Sequence, residues 1–261
     1  MADISLRVRY YRHSVDPGVE YVESNFQHAF QDWTMKTGEC GLVMVDCWDL
    51  HPIVSHLERT DAICRERIGP VAEACREVGI TVIHAPSPPT AKKYPQWVRY
   101  ASDGELFGAE AEPQAWPPEE FRKHEGAYEQ FAKPLEPALD EWREKQMDKR
   151  KIVGCLKPGA GDFVVATGDQ LHRLCRHCGI VHLIYCGFAA NMCVPGRDYG
   201  TRAMSRRGYN IILLRDCTTA IEAHSTLADF GLTNAAILET EMLLGHTATS
   251  EDFLGACKVI E

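Results

Sequence analysis

An α/β fold, doubly wound around a mostly parallel sheet of five or six strands with helices on both faces, is predicted by three observations. Short apolar runs bounded by turn residues recur along the chain, at 41–46, 80–85, 151–156, 181–186 and 210–215, with a short sixth at 241–244. Segments of helical periodicity lie between them, at about 60–78, 162–178, 195–207 and 223–239. Glycines 79, 179 and 208 stand where each of the first helices must stop and the chain must turn into the next strand. Strand and helix in alternation give parallel strands, because each crossover helix returns the chain to the same edge of the sheet. A glycine after a helix accepts the left-handed conformation that closes it. Asp162 has the chemistry of an N-cap for the helix that follows.

Taken in order, residues 1–40 form an N-terminal extension with no assignable motif, and 41–261 form the main domain. The first strand, Gly41-Leu-Val-Met-Val-Asp46, is central and ends in a carboxylate. After the second, Ile80 to Ala85, the pattern breaks over about 86–135. Eight of the fourteen prolines fall there, among Trp97, Tyr100, Phe107, Trp116, Phe121, Tyr128 and Phe131. An insertion leaving from the end of a strand is either a packed excursion or a lid that shapes a pocket and excludes water. The third strand, Ile152 to Lys157, ends in an ammonium just before Pro158-Gly159. The fourth runs into a glycine turn and then Cys193, which opens a helix. In an open parallel sheet all strand C-termini share one edge, so Asp46, Lys157 and Cys193 are expected to meet in one crevice. Unpaired N–H groups at a helix start favour a thiolate and can receive an oxyanion.

Composition narrows the classes. A chain of 261 residues, 45% hydrophobic and 25% charged, can bury a large core. Its net charge of −9 argues against nucleic acid or an anionic membrane surface as partner. No run approaches the roughly 18 apolar residues of a membrane helix, and the N-terminus has no signal-peptide core. Eleven cysteines read as reduced thiols in a cytoplasmic protein. Cys175-Arg-His-Cys178 has redox spacing, but it sits at a helix C-terminus, where the dipole disfavours a thiolate. Gly159-Ala-Gly161 lacks the Gly-Lys-Ser/Thr ending of a phosphate loop. The arginines at 197, 202, 206 and 207 run along one segment, and Arg197 alone is near enough to the crevice to meet an anionic substrate.

Four segments carry a resemblance: Leu42-Val-Met-Val-Asp46, Lys157 with Asp162-Phe163 behind it, Gly187-Phe-Ala-Ala-Asn-Met-Cys193-Val194, and Arg215-Asp216. Through them the chain resembles the isochorismatase-like cysteine hydrolase superfamily, which includes nicotinamidases, N-carbamoylsarcosine amidases, ureidoacrylate hydrolases and isochorismatases. The resemblance runs from about residue 40 to the C-terminus and implies a Rossmann-type three-layer fold. It implies that Cys193, as thiolate, attacks an amide, ureido or carbamoyl carbon, that Asp46 shuttles the proton, and that Lys157 gives electrostatic support. The backbone N–H groups of Ala189 and Cys193 form the oxyanion hole, and the peptide bond entering Ala189 is cis. Trp48, His51, His84, Phe163 and Asn191 are expected to meet the substrate. Many relatives carry Thr or Ser where Ala190 stands.

No cofactor is expected. Nicotinamidases hold a divalent metal through an Asp-x-His pair and a further His, and Asp49, His51 and His84 are the nearest match. Here the pair follows Asp46 by only three residues, which favours substrate contact over metal. The expected partners are a small-molecule substrate and further copies of the chain, as dimer or tetramer. Two alternatives stay open: an isochorismatase-type hydrolase of a non-amide bond, and a lapsed member serving as a binding or scaffold subunit.

Overall fold

The computed structural model describes residues 2–98, 116–134 and 136–259. The chain divides into two units, residues 1–98 with 149–261, and residues 99–148. The larger holds a single eight-stranded sheet in the order β2-β1-β8-β7-β6-β3-β4-β5. Its strands are β1 (Asp3–Arg12), β2 (Gln27–Lys36), β3 (Cys40–Val45), β4 (Thr81–Ala85), β5 (Phe163–Val164), β6 (His182–Phe188), β7 (Asn210–Thr219) and β8 (His246–Ala248). From β8 to β5 every pairing is parallel, whereas β1 pairs antiparallel with both β2 and β8. The predicted class therefore holds. The extra strands are the N-terminal extension, whose alternation Ile4, Leu6, Val8 buries one face in the core while the intervening residues face outward.

All six residues of β3 are buried, as a strand covered on both faces requires. One core layer contains Leu42, Met44, Ile68, Val71, Ile184, Ile212 and Phe253; the opposite layer contains Val43, Val45, Ile83, Leu171, Leu183, Tyr185 and Leu213. The odd and even residues of β3 thus feed opposite layers. Helices α1 (Val54–Ile63) and α2 (Gly69–Val78) are joined by a π-helical turn at Cys64–Ile68. Gly79 and Gly179 cap their helices at φ 79° and 76°.

Several boundaries differ from the sequence expectation, for identifiable reasons. Residues 151–156 are not a strand: Ile152 makes one isolated antiparallel bridge to Trp48, and Gly154–Leu156 is a 3-10 turn. The short β5 takes the place beside β4. The helix expected from 162 begins at Gly168, and its cap is Thr167, whose side chain accepts from the Gln170 N–H. Asp162 is instead buried against Arg76 and His84. The segment at 241–244 is a π-helical turn, and the strand follows it at 246–248. In the smaller unit, helices at Glu119–Lys123 and Pro137–Gln146 flank a 3-10 segment, and Phe121 packs edge-on against Tyr128. Part of the proposed lid lies outside the described residues.

Candidate active site

β3 ends at Asp46, which takes φ 47°, a left-handed conformation tolerated better by aspartate than by most side chains. Its N–H donates to the Ala85 carbonyl at 3.0 Å, so the end of β4 fixes the turn. Next to it, Gly187 in β6 sits at φ 111°, and a Cβ there would lie 2.0 Å from the Val45 carbonyl oxygen. Only glycine lets β6 pass so close to the end of β3. The chain then crosses a cis peptide bond between Phe188 and Ala189 and enters the one-turn helix Cys193–Gly196.

This path brings Cys193 to Asp46. The Cys193 thiol and the Asp46 carboxylate lie close enough to shift each other's titration, and the Ala189 N–H stands beside the sulfur. Asp46 is 2% exposed. Its Oδ2 accepts from Arg197 Nε at 2.9 Å and Nη2 at 2.8 Å, and its Oδ1 accepts from the Tyr199 hydroxyl at 3.2 Å. Tyr199 is itself held by Tyr185, whose hydroxyl donates to the Tyr199 carbonyl at 2.8 Å. Burial pushes the Asp46 pKa above the ordinary carboxylate value, against the opposing pull of Arg197, Cys193 and Tyr199. Burial, then the neighbouring carboxylate, pushes the Cys193 thiol up to about 11, with Arg197 and the Ala189 N–H acting the other way.

The resting sulfur is therefore a thiol, not the thiolate expected from a helix start. One helical turn supplies little dipole, and the adjacent carboxylate outweighs it.

A cavity of about 110 Å³ opens on this pair. Trp48, His51, His56, Leu57, Thr60, Phe188, Ala189, Met192 and Ile221 line it with Asp46 and Cys193. The His51 and His56 rings lie 4.8 Å apart. Burial lowers the pKa of both, that of His56 to about 4, so both imidazoles are neutral at pH 7. His51 Nδ1 accepts from the Ile53 N–H at 3.1 Å, which leaves its proton on Nε2. Trp48 Nε1 donates to the Pro86 carbonyl at 2.8 Å, and the Arg150 guanidinium stacks over its ring at 3.7 Å.

Of the residues expected from sequence, Asp46, Cys193, Ala189, Trp48 and His51 come together here. Lys157 does not join them. It is exposed, does not line the cavity, and follows the 3-10 turn that replaced the expected strand, so it never reaches the sheet edge beside Asp46.

His84 faces the other way. Its Nε2 meets Asp162 Oδ2 at 3.0 Å, in a buried cluster where Arg76 binds the same carboxylate through Nε and Nη2 at 3.0 and 2.7 Å. Burial raises the Asp162 pKa, but the bonds from His84, Arg76 and the Gly159 N–H outweigh it and hold the group well below the usual range. Phe163 packs into the core beside β4. Asn191 braces the loop after β7 through both Ile221 backbone groups, at 3.1 and 3.2 Å.

Asp49, His51 and His84 also fail as a metal set. Asp49 Oδ1 accepts the Lys151 N–H at 2.7 Å and His84 is committed to Asp162. Among the described residues no group of three or more His, Cys, Asp or Glu is placed to hold a metal ion. His56 and Tyr199 are site residues that sequence reasoning did not select, and Arg197 was expected only as a contact for an anionic substrate, not as the partner of Asp46. The spacing of Arg197 and Tyr199, four and six residues after Cys193, is the signal for two of them.

A mostly parallel sheet with a cysteine and a carboxylate meeting at its C-terminal edge defines the class, a cysteine hydrolase with an α/β fold. The isochorismatase domain model matches residues 40–243, and the chain belongs to that family. Among solved structures it is similar to a cysteine hydrolase from Pseudomonas syringae pv. phaseolicola 1448A at 14% identity, covering 87% of this chain and 95% of that one with a TM-score of 0.53. Similar too are N-carbamoylsarcosine amidase from Thermoplasma acidophilum, at 15% identity with 82% and 97% covered and a TM-score of 0.44, and nicotinamidase from Bacillus subtilis, at 14% with 80% and 99% covered and a TM-score of 0.44. No curated protein matches the chain significantly. Among the described residues no helix is long and apolar enough to cross a membrane.

Proposed function

We propose that the protein hydrolyses a C–N bond in a small amide, ureido or carbamoyl compound, with Cys193 as nucleophile and Asp46 as the proton shuttle. One observation carries this reading: a thiol beside a buried carboxylate at the wall of a cavity, with the Ala189 N–H next to the sulfur. A thiol held up to about 11 is a poor nucleophile until its proton leaves, so attack and proton transfer to Asp46 run together. As the carbon–sulfur bond forms, the carbonyl oxygen gains charge, and the N–H groups of Ala189 and Cys193 receive it. Protonated Asp46 then gives its proton to the departing nitrogen as the C–N bond breaks. Water, deprotonated by Asp46, attacks the thioester, releasing the acid and restoring the thiol.

The cavity dictates a compact reacting group. At about 110 Å³ it has room for an amide or ureido head, with the remainder of a larger substrate outside. The neutral imidazoles of His51 and His56 offer donors and acceptors without charge, which suits an uncharged head group.

Ammonia release across primary amides, ureides and carbamates tests the reading. At least one compound is turned over, and Cys193→Ala abolishes that turnover while the fold remains. Retention of most activity in Cys193→Ala overturns the nucleophile role and moves the reaction to a non-amide bond of the isochorismatase type.

A further inference from the structure

We infer that Arg197, not Lys157, supplies the positive charge that keeps Asp46 ionised and aimed at Cys193, and that Tyr199 completes the clamp. The inference rests on the roles proposed above for Asp46 and Cys193.

The geometry is specific. Two N–H groups of one guanidinium converge on a single oxygen, Asp46 Oδ2, at 2.9 and 2.8 Å. The Tyr199 hydroxyl holds Oδ1 at 3.2 Å, and the thiol meets the same carboxylate. Asp46 therefore has fixed rotation as well as fixed charge. A carboxylate 2% exposed is held ionised at neutral pH by such a partner, because desolvation favours its neutral form. A neutral Asp46 has no capacity to accept the thiol proton.

Arg197 reaches this position because of the local chain path. The helix starting at Cys193 lasts one turn, ending where the Arg197 N–H bonds the Cys193 carbonyl at 3.1 Å. Arg197 then extends (φ −68°, ψ 157°) and turns through Gly200 into the helix Thr201–Arg206. A Cβ at Gly200 would lie 2.5 Å from the Val194 carbonyl oxygen, so the glycine permits the tight reversal that brings both Arg197 and Tyr199 back over Asp46. Nucleophile, cation and hydroxyl thus come from residues 193, 197 and 199 of one short segment. The Arg197 side chain is 34% exposed, and its Nε and Nη2 are committed to Asp46.

Arg197 acts on Asp46 and not on substrate, so it is a positioning residue, and its test needs a readout beyond lost turnover. The rate of Cys193 carboxamidomethylation by iodoacetamide at pH 8, read by peptide mass spectrometry, is such a readout and requires no substrate. At pH 8 Asp46 of Arg197→Gln is ionised again, and loss of the guanidinium that pulls the thiol pKa down slows labelling about ten-fold. Arg197→Lys, which restores charge without the paired N–H groups, labels within about three-fold of the wild type. Lys157→Ala labels within about two-fold.

For any amide that the wild type hydrolyses, Arg197→Gln also moves the acid limb of the pH–rate profile to higher pH, because Asp46 then ionises later. A packing role for Arg197 moves neither the limb nor the labelling rate of the lysine variant relative to glutamine. Equal slowing in Lys157→Ala, or an Arg197→Gln rate within two-fold of the wild type, overturns the inference. If Arg197→Gln loses its native near-UV circular dichroism, Lys157→Ala decides alone: a rate within about two-fold of the wild type supports Arg197, and slowing of about ten-fold overturns it. Failure of the wild type to release ammonia from any compound contradicts the proposed reaction and leaves the labelling result intact.

Discussion

Asp46→Asn should push two activities of Cys193 in opposite directions. In the native site the thiol sits at about 11, first because it is buried and next because a charged carboxylate stands beside it. Asparagine removes the negative charge and keeps the volume, while Arg197, which pulls the thiol pKa down, stays in place. The thiol pKa then falls toward the ordinary thiol range, with burial alone still holding it up. At pH 8, far below either value, each unit raises the thiolate fraction about ten-fold. Iodoacetamide, which reacts with thiolate, is therefore expected to label Cys193 about ten- to a hundred-fold faster in Asp46→Asn than in the wild type. Ammonia release, which needs Asp46 to take and return a proton, falls by about 10²–10⁴. Parallel rate measurements at fixed pH, with Cys193 followed as its own peptide, read both effects. A variant that labels more slowly than the wild type would refute the account, since it would mean that the carboxylate promotes a resting thiolate.

Three further outcomes are expected, the first two from the site geometry and the last from the family resemblance. Asp162→Asn removes the charge that Arg76 and His84 share, and leaves both partly unpaired, so urea unfolding should show a loss of about 2–4 kcal/mol. Because the folded Asp162 pKa is depressed, its stabilisation is present above the ordinary carboxylate value near 4 and declines as pH falls below it; acid titration of the wild type should lose this contribution while Asp162→Asn shows none to lose. Activity should survive prolonged chelation by EDTA, and its loss with recovery on adding zinc, iron or manganese would reverse the reading of Asp49, His51 and His84. Light scattering at micromolar concentration should give a homo-oligomer, and a monomer would count against that proposal.

The fold was readable because its strands are apolar runs with glycine stops, and the two main site residues were readable because each ends such a run. Asp46 follows β3 and Cys193 follows β6, neighbours in the sheet, so topology alone brings them together. Lys157 misled for a physical reason. Ile152-Val-Gly-Cys-Leu is as apolar as a strand, but its burial comes from packing beside Cys47 and Trp48, not from a place between two strands: the Val153 N–H bonds the Cys47 carbonyl at 3.0 Å and the Asp49 N–H bonds the Lys151 carbonyl at 3.0 Å. His84 ends a strand as expected, yet its ring turns to Asp162, and only a view of Arg76 from the neighbouring helix explains why. Arg197 was visible as near the site, but its partner was not, because the reversal at Gly200 depends on backbone contacts with Val194 that no pattern announces. The N-terminal hairpin was legible in principle: Ile4, Leu6 and Val8 alternate with Ser5 and Arg7 at the period of a half-buried strand.

The most direct test of the central claim is to trap the covalent intermediate. A hydrolysed amide is mixed with the wild type, the reaction is quenched in acid during turnover, and the peptide containing Cys193 is weighed. The account predicts an acyl group on Cys193 whose mass is that of the substrate less its departing amine, present in the wild type and absent in Cys193→Ala. Steady turnover with Cys193 unmodified, and with Cys193→Ala still active, would contradict it.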